Sequence, residues 1–295
     1  VTGLPRRAML GGAAAAAALG AAALAGCKPN PFAAPEDRTT SKEAMAPQRY
    51  TYGSDAQQFA ELYLPLGQPR PGVVVIIHGG FWRSRYTLEL GVPLAEDLTS
   101  RGFACWNLEY RRVGNGGGWP QTFEDVAAGI DLLASAAEEH TLDTSTTTAL
   151  GHSAGGHLAV WAAGRSSLRQ DAPGGGMPAV PITGVVSQSG VLNLQRAHEE
   201  GLGNGAVQDL LGERDGEKYR LADPMTAIPL PVPVLALHGE DDTTVPLSQS
   251  ESYVNAALAA GGSAELVQIP GDHFAMITPG TDAWAQVVAA VERLG

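Results

Sequence analysis

A doubly wound α/β domain built on a mostly parallel sheet is the fold class this sequence predicts, and three observations carry it. Val73-Val74-Val75-Ile76-Ile77 is an unbroken β-branched run with no polar alternation, which only a strand buried on both faces tolerates. Strand-like and helix-like segments alternate from there to the end of the chain, the pattern of βαβ units. The 295 residues are 44% hydrophobic and 17% charged, enough chain and apolar surface for a full core without disulfide help, which excludes a disordered polymer.

Each element follows from local pattern. Residues 49–52 and 59–64 read as an opening hairpin, its second strand ended by Pro65. After the central strand, 93–100 is a short helix with Pro93 at its start and Gly102 past its end, leading into strand 103–108. Phe123, Val126, Ile130, Leu133 and Ala137 repeat at helical spacing, so 122–139 is expected to be one amphipathic helix. Strand 146–150, helix 154–163 and strand 182–188 follow. Then come strand 234–237, helix 249–260 with Ser248 and Glu251 as a capping box, strand 264–269 and helix 282–294. About forty residues, 190–231, separate two strands, too many for a plain connection, and are expected to form a small cap insertion.

The first 48 residues fall outside that pattern. Residues 1–26 hold no acid; Arg6-Arg7 precede an Ala/Gly-rich apolar run, a basic n-region plus h-region that resembles a twin-arginine export signal. Leu24-Ala25-Gly26-Cys27 closes the run and looks like a bacterial lipobox, in which the Cys27 thiol is acylated and becomes the new N-terminus. The expectation is an exported, cell-envelope protein anchored to a membrane through lipid on Cys27, with a soluble secreted or periplasmic form as the alternative. Residues 27–48 carry Pro29, Pro31, Pro35 and Pro47 and read as a tether, leaving 49–295 as one catalytic domain. With 19 Lys plus Arg against 31 Asp plus Glu, net −12, the chain would repel a phosphate backbone, so nucleic acid is not an expected partner.

Chemistry concentrates at four loops. Gly151-His152-Ser153-Ala154-Gly155 lies between a strand and a helix and matches the nucleophile-elbow pattern. A direct strand-to-helix turn strains the backbone at the serine and crowds the positions two residues either side, hence Gly151 and Gly155. The Ala154 amide, at the helix start, is a natural oxyanion donor. A serine hydroxyl needs a base and an acid further along, in the order Ser, Asp, His. Only His273, in Gly271-Asp272-His273-Phe274, follows the acid candidates and is therefore the expected base. Three acids, Glu240, Asp241 and Asp242, compete in the loop after strand 234–237.

Through these motifs the chain resembles the α/β-hydrolase superfamily over essentially all of 49–295. The family spacing His-Gly-x-x-Asp-x-x-Val-Pro falls on Asp242, with Asp241 as the fallback. His78-Gly79-Gly80-Phe81-Trp82 looks like the oxyanion loop of the esterase and arylformamidase branches, and the resemblance implies that the amides of Gly80 and Phe81 supplement Ala154. Phe81 stands where hormone-sensitive-lipase-like esterases carry a third glycine; the Gly-Gly-aromatic-Trp form is closer to kynurenine formamidases and small-ester esterases. His78 is expected to be a structural hydrogen-bonder. Trp82 and Trp119 are candidates for an acyl pocket or for core, and Cys105 for a small core residue. Gly114-Asn115-Gly116-Gly117-Gly118 lacks the surrounding βαβ fingerprint of a phosphate cradle and reads as a loop.

The expected activity is hydrolysis of small or medium acyl carboxylic esters through Ser153, His273 and Asp242, with no cofactor and no metal; His152 and His157 are poorly spaced for one. A small-molecule ester is the expected partner. Arylformamidase is the first alternative, then a prolyl-oligopeptidase-like peptidase, then a non-catalytic binding lipoprotein.

Overall fold

The computed structural model describes residues 46–212 and 216–295. The expected export signal, the acylated Cys27 and most of the tether lie outside the described residues.

Among the described residues one sheet holds eight strands: β1 (Gln48–Thr51), β2 (Phe59–Tyr63), β3 (Val73–Ile77), β4 (Ala104–Leu108), β5 (Thr147–His152), β6 (Gly184–Gln188), β7 (Val234–Gly239) and β8 (Ala264–Ile269). Their order is β1-β2-β4-β3-β5-β6-β7-β8. β1 and β2 run antiparallel to their neighbours, and every pair from β4 to β8 is parallel. Helices flank it: α1 (Val92–Ser100), α2 (Gln121–Asp131), α3 (Leu133–His140), α4 (Ala154–Ala163), α5 (Leu194–Glu199), α6 (Leu202–Leu211), α7 (Gly216–Ala222), α8 (Ser248–Ala259) and α9 (Asp282–Leu294). This is the expected mostly parallel, doubly wound α/β-hydrolase fold.

The period-two geometry of β3 explains its unbroken apolar run. Val73, Val75 and Ile77 join Phe123, Val126, Leu158 and Tyr253 on one face, while Val74 and Ile76 join Leu94, Leu98, Trp284 and Val287 on the other. Both faces are covered by helices, so alternation would bury polar groups without partners. The Trp106 indole donates to the Gly129 carbonyl at 2.9 Å and the Trp284 indole to Asp97 at 2.7 Å, so both buried rings keep their one donor satisfied.

Three local expectations change. The helix expected over 122–139 divides at Leu132, whose carbonyl takes the Ser135 amide in a tightened turn at 3.1 Å. The Ser248/Glu251 capping box does not form, because Leu247 is already helical and its carbonyl accepts from the Ser250 and Glu251 amides. β5 runs two residues beyond its expected end, since Gly151 and His152 continue the ladder opposite Ser187 and Gln188.

The insertion forms α5 to α7. Several of its described charged residues face solvent, as in the Arg196–Glu200 pair at 2.7 Å, but Asp223 is buried, and Leu192, Leu194, Leu210 and Leu211 are buried in the core. Arg83 ties the insertion to the loop after β3, reaching Asp209 at 2.6 Å and the Asn204 carbonyl at 3.1 Å. The Trp119 amide donates to the Leu210 carbonyl at 2.8 Å and the Trp161 indole to the Leu221 carbonyl at 2.9 Å.

Candidate active site

Ser153 follows β5 directly and starts α4, with φ 56° and ψ −120°. A non-glycine residue there costs roughly 1–3 kcal/mol and persists only where its surroundings enforce it. Here the Ser153 amide donates to the Gln188 carbonyl at 2.8 Å, and the Ser153 carbonyl takes the amides of Gly156 and His157 at 2.9 and 3.3 Å. The flanking glycines are required by contact: a β-carbon on Gly151 would collide with the Gly155 carbonyl, and one on Gly155 with the carbonyls of Ile77 and His78. The Ala154 amide is the first N–H of α4 and, among the described residues, has no backbone acceptor.

β7 and β8 supply the next pair. His273 Nδ1 donates to Asp242 Oδ2 at 2.6 Å, and Asp242 Oδ1 accepts the amides of Thr244 and Val245 at 2.8 and 2.9 Å. The Asp242 side chain is 1% exposed. Burial opposes its ionisation, but the hydrogen bonds from His273 and the Val245 amide outweigh that and bring its pKa from 3.8 to about 2. Asp241, the fallback acid, is solvent-exposed. His238 holds this loop in shape: its Nε2–H donates to the Val245 carbonyl at 2.9 Å while Nδ1 accepts from the Ser250 hydroxyl at 2.8 Å.

The loop after β3 carries three consecutive positive φ values, at Gly80 (112°), Phe81 (53°) and Trp82 (55°). Among the described residues the amides of Gly80 and Phe81 have no backbone acceptor, whereas the Gly80 carbonyl accepts from Arg83 at 3.0 Å. Beneath the loop lies a buried polar cluster that the sequence reasoning missed. Glu109 accepts from His78 Nε2 at 3.0 Å, from the Leu88 and Tyr110 amides at 3.0 and 2.8 Å, and from Arg112 in a close ion pair. The Tyr110 hydroxyl donates to the His78 carbonyl at 2.7 Å. Side chains of His78, Glu109 and Arg112 are all at most 2% exposed. Burial opposes the Glu109 charge, and its hydrogen bond from His78 together with Arg112 holds the pKa below the usual carboxylate value. The available signal was Glu109-Tyr110-Arg111-Arg112, charged residues placed immediately after a fully buried strand adjacent to β3.

Trp82 is core rather than pocket wall: it is fully buried, and its indole donates to His157 Nδ1 at 3.1 Å. His157 Nε2 in turn donates to the Ala222 carbonyl at 2.9 Å, which fixes the neutral tautomer. Burial pushes its pKa down to about 4. One side chain on α4 thus joins the oxyanion-loop candidate to the insertion. Cys105 is buried, and burial pushes its thiol pKa up to about 12.

The candidate residues converge at the carboxyl ends of the strands, where doubly wound sheets bind ligands. The His152 ring, next to Ser153, lies 4.5 Å from the His273 ring, and a β-carbon on Gly79 would come within 3.0 Å of Ser153 Cβ. Two exposed aromatics stand at the same place: Phe274 beside His273, and Tyr86, packed on Gly80. Among the described residues no group of three His, Cys, Asp or Glu side chains is placed to hold a metal.

A mostly parallel sheet with a strained serine at the turn after β5, and a histidine–aspartate pair from the ends of β8 and β7, defines an α/β-hydrolase-fold protein. The BD-FAE family model matches residues 60–257, and the chain belongs to that family. The chain is 28% identical over 240 residues to isoprenylcysteine alpha-carbonyl methylesterase ICME of Arabidopsis thaliana, covering 75% of this chain and 54% of that protein. It is 25% identical over 234 residues to esterase LipC of Mycobacterium tuberculosis, covering 76% and 58% respectively. The chain therefore spans little more than half the length of these curated relatives. Among solved structures, a truncated carbohydrate esterase from gut microbiota matches with TM-score 0.69 at 21% identity, covering 85% of this chain and 98% of that one. Esterase B from Lactobacillus rhamnosis matches with TM-score 0.72 at 20% identity, covering 85% and 86%. These likenesses establish the fold.

Proposed function

We propose that the chain is a serine hydrolase of small or medium acyl carboxylic esters, working through an acyl-enzyme. The observation that carries this reading is the 2.6 Å bond from His273 Nδ1 to the buried Asp242 carboxylate, beside a serine held at φ 56° between two obligatory glycines. Because Asp242 binds the Nδ1 proton, the neutral imidazole leaves Nε2 bare to accept the Ser153 proton as Oγ attacks the ester carbonyl. His273 then returns that proton to the departing alcohol, and a water repeats the sequence on the acyl-enzyme. The amides of Ala154, Gly80 and Phe81 stabilise the oxyanion, each worth about 3 kcal/mol in the transition state. The esterase names of the curated relatives agree with this reading.

The buried leucines of the insertion are committed to the core, so the insertion offers charge rather than a broad apolar groove at its surface, and this supports a short acyl pocket. The Leu24-Ala25-Gly26-Cys27 sequence supports export and acylation at Cys27; intact mass spectrometry of the mature protein should find its N-terminus at a lipidated Cys27, and Cys27→Ala should release the domain or leave the precursor uncleaved. Turnover compared across p-nitrophenyl esters, N-formylkynurenine and a proline-containing peptide amide tests the reaction class. Ester turnover should dominate; preference for the formamide or the amide would replace this reading.

A further inference from the structure

The histidine inside the elbow motif, His152, has no part in the reaction outlined above, yet it is buried against His273. Its Nε2 lies 2.8 Å from the His273 carbonyl oxygen. A carbonyl only accepts, so Nε2 carries the proton. On the adjacent strand Gln188 makes a matching bond, its side-chain amide donating to the Met276 carbonyl at 2.6 Å. His152 and Gln188 are register partners between β5 and β6, so they sit side by side on the same face of the sheet. Together they grip both ends of the 273–276 loop.

Each grip leaves one acceptor over. His152 Nδ1 and Gln188 Oε1 are both buried without a hydrogen-bond partner, although a buried polar atom left unpaired costs on the order of 1–3 kcal/mol. Both residues line the same small cavity under the strand ends, together with Gly79, Leu150 and Ile277. It offers about 10 Å³ to the centre of a water molecule, room for one. Two unpaired acceptors on residues that line one such space call for a molecule with two donors, which is what a single water presents.

We propose that His152 and Gln188 are positioning residues for His273, clamping its loop through the carbonyls of His273 and Met276, and that one internal water donates to His152 Nδ1 and Gln188 Oε1 to complete the clamp. This rests on the reading of His273 as the general base. The competing arrangement is a doubly protonated His152 donating directly to Gln188 Oε1. Burial and the neighbouring His273 oppose it, pushing the His152 pKa down to about 3.

The test combines spectroscopy on the unaltered protein with kinetics on variants. In ¹⁵N-histidine NMR of the full folded chain at neutral pH, His152 should show a neutral Nε2–H tautomer with a hydrogen-bonded Nδ1, and a crystal structure near 1.2 Å should hold one water between Nδ1 and Oε1. An imidazolium signature, or direct contact of Nδ1 with Oε1, overturns the water site. His152→Leu should lower kcat about 10- to 100-fold with KM within twofold, since small misplacement of a reacting group has effects of that size. His152→Gln, which keeps a donor for the His273 carbonyl, should recover most of the loss. An unchanged kcat in folded His152→Leu, or no recovery in His152→Gln, overturns the positioning role. If the wild-type protein itself fails to turn over esters, the reading of His273 falls, while the NMR and crystallographic results still decide the water site.

Discussion

Replacing Asp242 by Asn changes one atom and reverses one hydrogen bond. The amides of Thr244 and Val245, 2.8 and 2.9 Å from Oδ1, require an acceptor, so the new side chain must turn its carbonyl oxygen toward them. Its NH₂ group then faces His273 Nδ1 across a 2.6 Å contact. Two donors cannot share that space, and the imidazole is driven to carry its proton on Nε2, the nitrogen that must be bare to accept from Ser153. Loss of the correct tautomer in a triad costs about 10⁴ in kcat, or about 5.5 kcal/mol in the barrier at 1.36 kcal/mol per decade. The fold should survive: depression of the carboxyl pKa from 3.8 to about 2 corresponds to only about 2 kcal/mol of stability. Steady-state kinetics on p-nitrophenyl butyrate, with thermal melts alongside, make the comparison. Asp241→Asn, at an exposed position, should stay within twofold of wild type. The reasoning fails if folded Asp242→Asn keeps more than a tenth of wild-type kcat, or if Asp241→Asn is the more damaging change.

Glu109→Gln leaves Arg112 buried beside a neutral partner and should cost roughly 3–5 kcal/mol in denaturant unfolding, whereas adding Arg112→Met should restore part of that loss. Because the Asp242 pKa is lower in the folded than in the unfolded chain, its contribution is complete above about pH 4 and vanishes as pH falls toward about 2; equilibrium unfolding from pH 5 to 2 should show this slope, and Asp242→Asn should remove that component. kcat/KM across C2 to C16 p-nitrophenyl esters should peak early and decline, since Leu192, Leu194, Leu210 and Leu211 of the insertion are buried in the core; a rise continuing past about C8 would contradict the short pocket.

The mostly parallel sheet was legible because burial on both faces leaves a continuous apolar run, as at Val73 to Ile77, and because the glycines at 151 and 155 announce a sharp strand-to-helix turn; the order of its strands was not. Ser153 and His273 could be singled out from motif and chain order and Asp242 from the spacing of the family it resembles; the structure sets them after β5, β8 and β7, with His273 bonded to Asp242. The groups that support them could not be seen in the same way. Glu109 and Arg112 sit in sequence like solvated charges, and only the pairing of β4 with β3 puts them under His78. The grips of His152 and Gln188 depend on neighbours 121 and 88 residues away, a distance no local pattern records. The expected capping box at Ser248 failed for a related reason, since the turn through Pro246 and Leu247 had already supplied the acceptors that begin α8.

Reaction of the folded chain with a serine-directed p-nitrophenyl phosphonate, followed by peptide mass spectrometry, tests the central claim most directly. One phosphonyl group should appear, on Ser153, with release of one equivalent of p-nitrophenol; Ser153→Ala should abolish both, and His273→Ala should slow labelling by several powers of ten. An unlabelled Ser153 in folded protein, or a stoichiometric adduct on another residue while ester turnover persists, would contradict it.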